Sequence, residues 1–450
     1  MSFTEGWALA LKNDPTFLSA QATYRASQER SNIAFSALLP QLNISGNTAL
    51  NDREYVTNGS PTTTDNQKFQ SNSAQINLSQ ALWRHAEWIA STQTELAAQQ
   101  GKNQVIAAEH DLLVRFLQTW FDVMSARNNI QYSTKQSAAA NKLWVQTYRA
   151  LELGAASPPE LEEALARYEN AKAEQVAAES EMEIKIAAFE QIVGPVEAFT
   201  PPSLPENLPA IFISDKPLSD WLELAEHANP AIIAALYGVR AASEEIRKQR
   251  AGHEPTMDIT GSYGRTAQGA GTTPSQQGYT NTQGTIGLQL NIPIYSGGGQ
   301  SAKVREAIAL REKTAQDLEN ARRSVRSAGK QAWYGIQSAT ARYKAATQAV
   351  KSASTNLQVA TSGKERELKT DLDVLRANQQ LFGGLRDLHN AQYEIMLNKV
   401  KLKIVAGQLT GDDVIALDGL FVQSSLSAEA SPGNSQIRET LPDTLVRNRD

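Results

Sequence analysis

The side chains best suited to metal or proton chemistry are five histidines, His85, His110, His227, His253 and His389, and no interval between them matches a metal-ligand spacing. The chain has no cysteine, which removes thiolate zinc sites and disulfides. That absence fits a protein of an oxidising compartment that must avoid mispairing, and fits chance equally well. Gly297-Gly298-Gly299 is not followed by Lys-Ser/Thr, so it is no phosphate loop. Ser327 and Lys330 have a serine–lysine spacing but sit inside a long helical pattern without partners. No catalytic group, metal or cofactor is expected, and the chain reads as a non-enzyme.

The elements that would position functional residues are more informative. The 450 residues are 41% apolar but only 7% aromatic, with a net charge of −5. Abundant Ala, Gln, Ser, Glu and Lys favour long helices with narrow apolar stripes over a thick core. No basic cluster points to nucleic acid. No run approaches eighteen unbroken apolar residues, so no transmembrane helix is expected. Met1-Ser2-Phe3-Thr4 leads straight into an amphipathic helix without a secretory leader, which fits a cytosolic protein or the mature part of an exported one; the second is preferred.

The chain repeats itself once. Pro15, Pro40 and Gly46 recur as Pro230, Pro255 and Gly261, 215 positions on; Trp120-Phe121, Ala164 and Gly194 recur as Trp333-Tyr334, Ala377 and Gly407, 213 on. The first repeat covers 1–194 and the second 216–410, joined by a proline-rich linker at 195–215 and followed by a polar tail at 411–450, expected to wrap the assembly's equator or to be disordered. Each repeat reads as helix, strand, loop, strand, helix, helix. The first helix is expected as one element from about 3 to 38. Leu42, Ile44, Gly46, Thr48 and Leu50 alternate with polar residues, as do Ala74, Ile76 and Leu78, predicting strands at 41–51 and 69–80; the second repeat predicts strands at 256–265 and 283–293. Ten residues is the length a tilted strand needs to cross a bilayer.

From Arg84 to Leu153 no proline interrupts, predicting a helix of roughly 100 Å, with a counterpart from about Ser301 to Thr361. Such helices need neighbours. Trp120, Phe121, Trp333 and Tyr334 are expected to pack between helices. The return helices start at Ser157-Pro158-Pro159-Glu160 and at Thr370-Asp371-Leu372-Asp373, both with capping-box spacing. Pro40, Pro255 and Pro293, with Gly297 and Gly298, are expected at passages between helix and strand.

Four strands cannot close a barrel, and an open sheet edge in hydrocarbon leaves unpaired backbone groups. The chain therefore oligomerises in a membrane, three copies supplying twelve strands, or it is a soluble helical scaffold carrying two exposed hairpins. Lone hairpins are marginal in water, which favours the first.

Leu288-Gln-Leu-Asn-Ile-Pro-Ile-Tyr-Ser-Gly-Gly298, Thr370-Asp-Leu-Asp-Val-Leu-Arg-Ala377, and Asn390-Ala-Gln-Tyr-Glu394 followed by Gly407-Gln-Leu-Thr410 resemble segments of the TolC family of outer-membrane efflux and secretion channels, and the duplicated element order extends the resemblance over nearly the whole chain. The resemblance implies a mixed α/β membrane protein: a homotrimer with a twelve-stranded β-barrel continuous with an α-helical periplasmic barrel, in the outer membrane of a Gram-negative bacterium. It implies a membrane-fusion adaptor and an inner-membrane transporter, of ABC type, as partners, alongside outer-membrane lipid. The segment from Asp387 to Gly407 looks more like the type I protein-secretion branch than the multidrug-efflux branch.

Asp373 matches the acid that rings the closed tunnel tip in the family. The family's second acid is replaced here by Arg376, with Asp371 as a nearby charge at different spacing; Asp373 is equally a capping-box acid. Lys364, Arg366 and Lys369 are placed to latch the tip by pairing with acids of a neighbouring helix, or are solvated charges. Ser157 and Glu160 mark the equivalent turn, a candidate adaptor contact or a cap.

Overall fold

The computed structural model describes residues 1–57, 63–196, 217–271, 276–366 and 368–429. In the first repeat α1 (Phe3–Asn13), α2 (Pro15–Ser36), β1 (Gln41–Thr57), β2 (Thr63–Trp83), α3 (His85–Glu152) and α4 (Pro158–Val193) follow in order. The second gives α5 (Leu218–Ala228), α6 (Pro230–Ala251), β3 (Thr256–Ala270), β4 (Gln277–Asn291), α7 (Gly299–Glu365) and α8 (Asp371–Val405), and α9 (Gly411–Glu429) ends the described chain.

The helix expected over 3–38 is two helices. Asp14 precedes a proline and takes an extended conformation, ψ 116°, because the proline ring excludes the helical region from its predecessor. Its carboxylate then accepts the Phe17 N–H at 2.7 Å and starts α2. Asn229 repeats the break before Pro230.

The four strands form one antiparallel sheet in the order β1-β2-β3-β4. Three of them outrun the expected spans: β1 reaches Thr57, β2 runs from Thr63 to Trp83, and β3 reaches Ala270. Hydrophobic alternation reports which face is buried, and its regular run ends at Leu50 while the ladder continues to Thr57↔Thr63. β4 starts earlier, at Gln277, and stops at Asn291 rather than 293, where Pro293 has no N–H to offer a ladder.

The repeats are not the compact units. One unit gathers Met1–Ala20, Val105–Pro230 and Arg322–Asp450; the other gathers Gln21–Gln104 and Ala231–Ala321, so each draws on both repeats.

In the first unit, Phe3, Phe116, Trp120, Phe189 and Phe421 make an aromatic core whose centroids lie 5.2–5.9 Å apart. Phe421 belongs to α9, a segment expected to be polar tail. Val414, Leu417, Leu420 and Phe421 share one helical face and are buried, and Asp418 accepts from the Phe3 N–H at 3.0 Å and the Thr4 hydroxyl at 2.8 Å. Most of the expected linker, 197–216, and the chain after 429 lie outside the described residues. Trp120 and Phe121 are buried and Trp333 packs on a second small cluster, but Tyr334 is exposed rather than packed between helices.

α7 and α8 pack through alanine. Ala332, Ala339, Ala346, Ala353 and Ala360 recur every seven residues on α7 and are all buried, a heptad seam that draws helices together in a left-handed supercoil. Opposite it, a Cβ at Gly384 of α8 would lie 3.3 Å from a Val350 methyl, so glycine permits the approach. α4 carries the same spacing at Ala164, Ala171 and Ala178.

Candidate functional site

Two features stand apart from ordinary packing: the turns of the two helical hairpins, and the outward face of the sheet.

In the turn between α7 and α8, the Asp373 carboxylate accepts the Thr370 N–H at 3.0 Å while the Thr370 hydroxyl accepts the Asp373 N–H at 3.2 Å, a reciprocal cap. Those bonds from the Thr370 backbone and hydroxyl, with Lys369 and Arg376 nearby, hold the Asp373 carboxyl below the usual range, so it stays ionised at neutral pH. Asp371 does not stand free beside it: Lys364 pairs with Asp371 across the turn, within one hairpin. Arg366, Lys369 and Arg376 are exposed and form no ion pair among the described residues.

The turn between α3 and α4 is built differently. Glu160 accepts the Ser157 N–H at 2.7 Å, and its carboxyl is held low by that bond and by the Ser157 hydroxyl. Glu152, Glu160, Glu162 and Glu163 outnumber the bases Arg149 and Arg167 around this turn, and Arg167 pairs with Glu163, whereas the other turn interleaves Lys364, Arg366 and Lys369 with Asp371 and Asp373. The two turns meet in a cleft of about 480 Å³, where Gln146, Ala150, Glu160 and Glu163 face Thr370 and Asp371.

The passages between helix and strand hold the expected prolines and glycines. Pro40 and Pro255 immediately precede β1 and β3, and Pro293 follows β4. Gly297 and Gly298 take φ of 63° and 79°, which a side chain resists, and no neighbouring atom crowds them. Sequence reasoning missed the lashing here. Arg84 donates two bonds to Asp258 at 2.8 and 2.9 Å, and His85 meets Glu254 at 2.7 Å.

The register sorts the sheet's faces. One carries the rows Met257–Leu290, Ile259–Leu288, Leu42–Leu78–Gly261–Ile286 and Ile44–Ile76–Tyr263–Gly284. Their side chains stand in the open: Leu42 is 68% exposed, Ile44 76% and Ile286 88%. The other face carries Asn43–Asn77–Ser262–Thr285 and Ser45–Gln75–Gly264–Gln283, uncharged amides and hydroxyls. Exposed Trp83 and Tyr295 bound the apolar rows at the end from which the helices leave, and exposed Tyr263 bounds them at the other. An apolar belt with aromatic borders is the signature of a lipid-facing strand wall. From Ile292 to Gly284 the belt runs about 27 Å along a strand, or roughly 20 Å across a bilayer after the usual tilt. Among the described residues the outer edges of β1 and β4 have no strand partner.

The profile of the outer membrane efflux protein family matches residues 7–195 and 221–408. The chain belongs to that family. Its two matched stretches fall on the two repeats. The outer membrane protein TolC of Vibrio cholerae is 27% identical over 408 residues, 90% of each chain. The proteases secretion protein PrtF of Dickeya chrysanthemi is 25% identical over 96% of this chain and 95% of its own. The crystal structure of the Campylobacter jejuni CmeC outer membrane channel superposes with a TM-score of 0.72 at 16% identity, over 92% of this chain and 89% of that one.

The protein is thus an outer-membrane protein of Gram-negative type that extends into the periplasm, with the mixed α/β fold of the family's channels. The family is one of channel and transport proteins, and the soluble-scaffold alternative is set aside. Among the described residues no group of His, Asp or Glu is arranged to hold a metal, and no helix is long and apolar enough to cross a membrane.

Proposed function

We propose that three copies of this chain close into one exit duct and that the duct serves a type I secretion system, conducting an exported polypeptide passively from an inner-membrane transporter of ABC type to the outside. The observation that carries the trimer is the sheet: two open edges beside an apolar outward face. Each unpaired backbone group at an edge in hydrocarbon costs several kcal/mol, and pairing with sister chains removes that cost. Twelve strands then enclose a lumen lined by the amide and hydroxyl face.

The secretion reading draws support from the relatives named for protease secretion, PrtF and AprF. Between the Asp258 and Arg53 rows the lumen-side residues are uncharged, which suits polypeptides of any local charge. Efflux remains the second reading, favoured by the relative named as outer membrane efflux protein BepC. The hairpin turns are the proposed seat of a periplasmic adaptor, with Glu160 and Ser157 on one turn and Arg366 and Lys369 on the other. Asp373 and Arg376 are the proposed constriction. Their opposite charges replace a double acidic ring and weaken its hold on cations.

Two experiments test this. Deleting the gene and comparing secreted protein with drug sensitivity separates the branches: loss of a secreted polypeptide with unchanged drug sensitivity supports the proposal, and the converse refutes its secretion half. Conductance recording in planar bilayers with divalent-cation titration, comparing wild type with Asp373→Ala, tests the constriction. An identical cation response in both removes Asp373 from it.

A further inference from the structure

The sheet outruns the bilayer, and its outer part presents a surface of a different kind. Above the Ile44–Ile76–Tyr263 row, the next row on the same outward face is Gly46–Ala74–Arg265–Thr282, and the one above is Thr48–Asn72–Ala267–Thr280. In that upper part Thr48 donates to the Asn72 side-chain oxygen at 2.6 Å, and the Gln70 amide, one row further on beside exposed Leu50, donates to both at 3.2 Å. Amides with spare donors and acceptors are not stable against hydrocarbon. The hydrocarbon boundary therefore falls at the Arg265 row, just past exposed Tyr263. β1 ends and β2 begins at this end of the sheet, as do β3 and β4, and the helices leave from the other, so this is the outer leaflet's side.

Arg265 is the one charged residue on the outward face between Leu42 and Leu50 and the rows aligned with them. It is exposed, and no described acid or acceptor meets it; its row neighbours Gly46, Ala74 and Thr282 are too small to cover it. Asn72 is its diagonal neighbour across β2 and β3, within reach of a long side chain. A guanidinium at headgroup level matches a phosphate, and the amides and hydroxyls just above match the hydroxyls of a sugar.

We propose that this patch, Arg265 with Asn72, Gln70, Thr48 and Thr282, is a binding surface for a phosphorylated glycolipid of the outer leaflet. Arg265 binds the sugar-linked phosphate and the row above binds the sugar. An ordinary phospholipid satisfies Arg265 alone, so the surface prefers the glycolipid. Anchoring by one chemistry on each outward wall fixes the height of the barrel in the membrane.

The test uses the purified full chain in detergent, titrated with three probes: a bisphosphorylated disaccharide lipid, the same lipid dephosphorylated, and phosphatidylglycerol. Bound lipid is counted by native mass spectrometry. Wild type is expected to bind the bisphosphorylated glycolipid about tenfold more tightly than either other probe, the scale of one charge-assisted contact. Arg265→Gln is expected to abolish the preference over the dephosphorylated form, and Asn72→Ala to weaken glycolipid but not phosphatidylglycerol. Equal binding of the phosphorylated and dephosphorylated lipids by wild type overturns the proposal, whether or not the variants fold. So does an unchanged preference in Arg265→Gln. Equal affinity for phosphatidylglycerol and the bisphosphorylated glycolipid reduces the patch to a generic phosphate contact and overturns it as a glycolipid surface.

Discussion

Adjacent residues on β4 give a sharp test of which face meets lipid. Ile286 stands in the third of four apolar rows, beside Gly261 and in line with Leu78 and Leu42, while Thr285 points to the opposite face opposite Ser262. If lipid covers the apolar rows, Ile286→Arg loses about 2 kcal/mol of apolar burial. It also places a guanidinium near mid-bilayer at about 2–4 kcal/mol. The sum is about 5 kcal/mol per chain, and three chains bring it to the scale of a whole fold's stability of about 5–15 kcal/mol. Thr285→Arg puts the same charge in a water-filled lumen, at about 0–1 kcal/mol. Refolding each variant into phosphatidylcholine vesicles, with the inserted fraction read from the gel shift of the folded barrel, separates the two. Ile286→Arg should insert poorly and Thr285→Arg like wild type. Equal insertion, or the reverse order, refutes the assignment of faces.

Three further outcomes are expected. Asp14 is buried, and Arg115 meets its two oxygens at 3.0 and 3.2 Å. Burial alone would push its carboxyl up, but Arg115 and the Phe17 N–H outweigh it and hold it below the ordinary 3.8. A carboxyl lowered on folding stabilises above its unfolded value and loses that contribution as pH falls through the folded one. Asp14→Asn keeps the cap, should cost about 2 kcal/mol at neutral pH, and should approach wild type in detergent melting scans as pH falls below 3.8 towards the folded value; a gap that does not narrow in acid contradicts this. Ala353→Leu overfills the α7–α8 seam and should cost about 1–3 kcal/mol, whereas the same change at exposed Ala345 should be near neutral, as thermal melting will show. Lys364→Met leaves Asp371 without its partner at the turn and should increase the cation preference of the conductance, measured as reversal potential under a salt gradient.

Much of this architecture was legible because its signals are periodic. Gly194 and Gly407 mark helix ends that backbone sterics impose wherever they occur, but the break before Pro15 was not anticipated, because a helix expected from 3 to 38 runs across it. Leu42, Ile44 and Ile286 alternate because one face meets an apolar medium. The outer sheet was not legible, since beyond Leu50 apolar residues no longer alternate regularly, although strand pairing persists. α9 was hidden because its stripe of Val414, Leu417, Leu420 and Phe421 is short and set in a polar stretch. The alanine seam was visible in its spacing, but alanine is common in any helix and marks contact only when sevens are counted. At the turns, the caps of Asp373 and Glu160 followed from sequence spacing. The engagement of Asp371 by Lys364 did not, because it depends on how the chain between them folds back.

The contrast between the two hairpin turns bears on what can dock there. In a threefold assembly the ring of turns would alternate, an acid-rich turn at Glu160 beside a more basic one at Lys364 and Asp371. A sixfold partner made of identical copies would find six positions but two kinds of seat. It would have to bind in two distinct poses, or leave every second seat empty. In such an assembly the internal repeat would give the ring of turns nearly hexagonal geometry while leaving its chemistry triangular.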